Sequence, residues 1–92
     1  MDTKVTYKGL PLVRNGNELY YGDPSKECIV YLNIVSTKQV EGQEIADKVQ
    51  VALISTDTSL DFLQRIKKQG VKNGLYDALD VGEVWLKSTL GN

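Results

Sequence analysis

The sequence predicts an α+β domain, a four-stranded antiparallel meander with two C-terminal helices packed on one of its faces, in the order ββββαα. Two observations carry that expectation. Apolar residues recur with a period of two through residues 1–55 and with a helical period from about Thr58 onward, and the switch happens once. Turn-forming pairs divide the first half at Asn15-Gly16, Asp23-Pro24 and Glu41-Gly42.

Asn15-Gly16 is a strong hairpin signal, because a type I′ turn needs positive φ at both central residues. As a two-residue loop it sets Leu12 opposite Leu19 and Leu10 opposite Tyr21. Residues 4–8 either add a fifth strand or extend the first across a bend at Gly9. Asp23-Pro24-Ser25-Lys26 has Asp and Pro at the first two positions, as a type I turn prefers. A two-residue loop there sets Tyr21 opposite Cys28 and Leu19 opposite Val30. An unprimed turn fits the strand twist poorly, so a longer loop would change this register. The run from Cys28 to Val35 and the stretch from Ile45 to Ile54 are the clearest strands. Glu41-Gly42 as a two-residue loop between them pairs Ile34 with Val49, Leu32 with Val51 and Val30 with Leu53. The three turns agree on one inner face, made of Leu10, Leu12, Leu19, Tyr21, Cys28, Val30, Leu32, Ile34, Val49, Val51 and Leu53.

Two helices are expected to cover that face. The first starts at Asp57-Thr58-Ser59, with Asp61 completing a partial capping box, and carries Leu60, Leu63 and Ile66. Lys67 and Lys68 suit its C-terminal dipole, and Gly70 ends it. Asn73 caps the second, which places Leu75, Ala78, Leu79, Gly82, Trp85, Leu86 and Leu90 along one stripe and Asp77, Glu83 and Lys87 on the opposite side. Glycine in a helix interior costs about 1 kcal/mol against alanine. Gly82 in the buried stripe therefore implies close approach to the sheet or to the rings of Trp85 and Tyr21, with a kink there as the rival.

Composition bounds the function. A chain of 92 residues with 41% hydrophobic and 25% charged residues has the size and balance of one globular domain, residues 1–92. No apolar run reaches the length of a membrane span, and the start "MDTKVTYKG" has no signal-peptide pattern, so a cytoplasmic location is expected. The single cysteine, Cys28, lies in an apolar run and reads as a buried reduced thiol. The absence of histidine removes the commonest general base and metal ligand, and no nucleophile has a base beside it. Catalysis is therefore not expected, and neither is a cofactor. A net charge of −1 and a pI near 5.3 disfavour a nonspecific nucleic-acid binder. Asp77, Asp80 and Glu83 lack a rigid oxygen-rich loop, so they read as a solvated helix face and no metal site is assigned.

Two places remain for partners. The register that buries Tyr21 turns Tyr20 outward opposite Ile29, which in turn faces Ile54, while Tyr31 faces Ala52 and Val13 and Val35 flank the row. Val13, Tyr20, Ile29, Tyr31, Val35 and Ile54 thus form an apolar patch on the face that the helices leave open, suited to another protein or to a second copy forming a homodimer. Against that stands the ordinary tolerance of antiparallel sheets for apolar residues on a wet face, or coverage by residues 1–9. The second place is "RIKKQGVKNG", where Arg65, Lys67, Lys68, Lys72 and Asn73 precede a helix start and could hold an anionic ligand or nucleic acid. It lacks the glycine spacing of a phosphate-binding loop, and a helix C-terminus with dipole-compensating lysines explains the same residues. The expected function is a small non-catalytic interaction or assembly domain acting through the open sheet face, with the anion-binding module as the alternative.

Overall fold

A computed structural model describes residues 3–90. The chain forms β1 (Thr3–Tyr7), β2 (Leu10–Asn15), β3 (Glu18–Tyr21), β4 (Cys28–Ile34), β5 (Thr37–Val40), β6 (Gln43–Ala46), β7 (Lys48–Ser55), α1 (Phe62–Arg65), β8 (Ile66–Asn73) and α2 (Leu75–Leu90). Its class is α+β, with an antiparallel sheet of six strands in the order β1-β2-β3-β4-β7-β8 and one long C-terminal helix. Strands β5 and β6 form a separate two-stranded ribbon. The sheet thus has two strands more than the meander expected from the sequence.

The central hairpin has the expected register. Val30 faces Leu53, Leu32 faces Val51 and Ile34 faces Val49. The same register continues into the ribbon, where Thr37 faces Ala46 and Glu41-Gly42 closes the loop with φ of 51° and 81°, as a type I′ turn requires. Between sheet and ribbon the ladder is irregular: the amides of Val35 and Ser36 both donate to Lys48 O, at 2.8 and 3.3 Å. There the ribbon separates from the sheet.

The two other expected registers are each displaced by two residues. Leu12 faces Tyr21 rather than Leu19, because Gly16-Asn17 is the central pair of the turn. Gly16 has φ of 63° in the first central position, which is the type II′ requirement. Across β3 and β4, Tyr21 faces Val30 and Leu19 faces Leu32. The turn at Asp23 does form: Lys26 N donates to Asp23 O at 3.0 Å, and the Asp23 carboxylate accepts from Ser25 N and Oγ. It sits inside a longer loop, residues 22–27, and that loop shifts the pairing. A displacement of two preserves which face each side chain takes. Leu19, Tyr21, Cys28, Val30, Leu32, Ile34, Val49, Val51 and Leu53 are accordingly buried on the inner face, with Leu10 and Leu12 packed against them. Residues at the start do add a strand: β1 pairs with β2 through Lys8-Gly9, both at positive φ.

The first expected helix is overturned. Only Phe62–Arg65 makes a helical turn, begun where Asp61 N donates to Gln64 Oε1 at 3.3 Å. Residues 66–73 instead pair with β7 as β8. Leu60, Leu63 and Ile66 supply too narrow a stripe to anchor a helix, and Gly70 weakens one, while β7 is buried from Val51 to Ile54 and would otherwise end the sheet with open backbone groups. Pairing wins over helix propensity.

Helix α2 runs through Gly82 without a break. A Cβ at Gly82 would lie 2.8 Å from Val30 Cγ1, so the close approach is to the sheet itself. The expected cap at Asn73 is not made, since its Oδ1 accepts from Lys48 Nζ at 2.5 Å and Gly74, at φ 96°, precedes the helix. Glu83 also departs from expectation: it is 8% exposed rather than on the solvent side, because Lys8 reaches over it from the β1–β2 turn. Glu83 also pairs with Lys87, one turn on, at 3.5 Å.

Candidate functional site

The outer sheet face is built by alternation along β3 and β4. With Tyr21 in the core, Tyr20 points outward, and the two-residue shift sets it opposite Tyr31 rather than Ile29. The two rings lie 5.3 Å apart, tilted by 54°. Phe62, delivered by the α1 turn, stands edge-on to Tyr31 at 5.7 Å. Three aromatic rings thus cross the face in a row, Tyr20–Tyr31–Phe62. Tyr20 is 40% exposed, Phe62 47% and the adjacent Leu63 82%.

The six residues expected to form this surface do not all lie on it. Ile54 is only 1% exposed and its neighbour Ala52 is buried too, because the chain after β7 folds back over them. Phe62 stands against Tyr31, the cross-strand partner of Ala52, and Arg65 Nε donates to Ser55 O at 2.8 Å. Ile54 therefore keeps its place on the outer face, opposite Ile29, but is covered rather than exposed. Val13 and Ile29 are half-buried beside the row, and Val35 is exposed but separated from Tyr31 by Asn33 on the same face. Sequence reasoning misses Phe62 and Leu63 on this surface because helical spacing assigns Leu63 to a buried stripe; the available signal is that Phe62 falls outside the stripe of Leu60, Leu63 and Ile66.

The row is electrically quiet. Tyr31 OH donates to the Glu18 carboxylate, and burial together with that bond pushes the phenol up to about 12. It stays neutral and protonated at ordinary pH. Burial likewise pushes the Cys28 thiol up, away from reactive thiolate.

The basic segment has a different context from the expected loop before a helix. Lys67, Lys68 and Lys72 lie on the sheet-edge strand β8, with Lys68 opposite Leu53 and Lys72 opposite Val49. Arg65 is engaged by the Ser55 carbonyl and Asn73 by Lys48. On α2, Lys8 Nζ bridges Asp80 at 3.0 Å and Glu83 at 3.3 Å. No group of acidic, cysteine or histidine side chains that could hold a metal occurs among the described residues. A cleft of about 520 Å³ opens where the β5–β6 ribbon meets the start of α2, lined by Arg14, Glu44, Ile45, Leu75, Tyr76 and Asp77. It joins segments far apart in sequence and mixes both charge signs, so no pattern along the chain announces it.

Compared with family models, curated proteins and solved structures, the chain has no significant match in any of the three. No helix among the described residues is long and apolar enough to cross a membrane.

Proposed function

We propose that the protein is a small non-catalytic interaction domain that docks another protein on the outer face of its sheet. The observation that supports this reading is the aromatic row Tyr20–Tyr31–Phe62, half-exposed and continued by Leu63. Aromatic side chains dominate the energetic centres of interfaces because they bury much area and lose few rotatable bonds. Here the rings already brace one another, and Tyr31 is held by Glu18, so docking costs little side-chain entropy. The polar residues Asn33, Gln50 and Glu18 around the row suit the rim of such a surface. The buried, unpaired Cys28 is compatible with a cytoplasmic setting.

The test compares the native protein with Tyr20→Lys and Leu63→Lys, both at exposed positions. Affinity capture followed by light scattering should recover a partner with the native chain, or show a second copy, and lose it with either substitution while thermal melting is unchanged. A monomer at millimolar concentration that captures nothing, or capture indifferent to both substitutions, refutes the reading.

A further inference from the structure

We infer that the free edge of β8 takes up an acidic, extended peptide segment as a seventh strand of the sheet. Strand β8 spans 8 residues, ends the sheet and pairs only with β7. Among the described residues, residues 66–73 make no further backbone hydrogen bonds, so alternate amides and carbonyls along the outer edge are open to a partner. The strand carries Lys67, Lys68 and Lys72 and no acidic residue. No described carboxylate lies within ion-pairing distance of these lysines, although the chain as a whole has net charge −1. Positive charge is therefore concentrated and uncompensated on one edge.

The placement of the charges selects the partner. Lys68 and Lys72 point to the helix side of the sheet, opposite Leu53 and Val49, and Gly70 lies between them opposite Val51. Val71 lies on the other face and is exposed. An antiparallel segment with carboxylates opposite Lys68 and Lys72, and a β-branched residue opposite Val71, matches both faces. A second copy of β8 is the weaker match, because β8 carries no carboxylate to set opposite Lys68 and Lys72 in any register. Antiparallel self-pairing centred on Gly70 sets Lys68 against Lys72. A nucleic acid is also the weaker fit, because β8 has no aromatic residue for base stacking and its edge offers carbonyl acceptors that repel phosphate.

The probe is a fluorescein-labelled peptide of alternating glutamate and valine, (Glu-Val)4, titrated into the full chain at low salt. Saturable binding is expected, with slowed amide hydrogen exchange confined to residues 66–73. Lys68→Glu/Lys72→Glu should weaken binding roughly tenfold or more, whereas Lys26→Glu, on the 22–27 loop, should change it less than twofold. The same peptide N-methylated at alternate residues keeps its charge but cannot form the ladder, and should not bind. Absence of (Glu-Val)4 binding, equal binding of the N-methylated peptide, or tighter binding of an oligothymidine of equal charge each overturns the inference.

Discussion

Gly82 shows how a single residue transmits the packing of the whole sheet. It lies on a continuous helix, where alanine would be favoured by about 1 kcal/mol. Yet a Cβ there would stand 2.8 and 3.0 Å from the two methyl carbons of Val30, a stiff β-branched side chain on a central strand that cannot swing aside. Gly82→Ala is expected to lower stability by roughly 1–3 kcal/mol in spite of its helix propensity. Adding Val30→Ala should cost less in the double variant than the sum of the two single changes, which urea unfolding of all four proteins will measure. The apolar stripe makes Gly82 legible as a close-approach position, whereas helical spacing alone places Glu83 toward solvent, since nothing in its neighbours reveals that Lys8 will reach it.

At the level of elements, alternation was legible and loop length was not. The stretch Asn15-Gly16-Asn17 admits a turn with glycine second or glycine first, and both satisfy the backbone chemistry. Only the packing of β3 between β2 and β4 selects the second. Residues 66–73 are the clearest case of tertiary override, since their lysines and glutamine tolerate a helix and the demand of the β7 edge makes them a strand. The ribbon illustrates how stability varies within one register. Strands β5 and β6 continue the β4–β7 pairing but are exposed at nearly every position, while β4 alternates buried residues along its length. Amide exchange is therefore expected to be faster by at least tenfold for residues 37–46 than for residues 28–34 and 48–55; equal protection would contradict this.

Across the whole molecule, the N-terminal hairpin is fastened to the C-terminal helix by a polar clamp. Tyr21 OH donates to Tyr7 O, Tyr7 OH donates to Asp80 Oδ1 at 2.7 Å, and Lys8 bridges Asp80 and Glu83. The hydrogen bond from Tyr7, and then the contact with Lys8, hold the Asp80 carboxyl below its usual range. A carboxyl with a depressed value in the folded state contributes stability above its unfolded value and loses it as pH falls through the folded one. Acidification below roughly pH 4 should therefore loosen the clamp. Asp80→Asn is expected to be less stable than the native chain at pH 7 and to lose less on going to pH 3, as read by thermal melting at both values. A parallel decline of the two proteins would show that the clamp does not contribute.

By itself the sequence determined the α+β class, the inner face of the sheet and the register of the central hairpin, because each follows from side-chain periodicity or a single turn type. Only the tertiary structure decided the registers around Tyr20, the strand at residues 66–73, the burial of Ile54 and the row that joins Phe62 to two tyrosines. Those outcomes depend on which backbone edges need partners and which faces a returning loop can cover. Such demands arise between segments distant in the chain, and no local pattern encodes them.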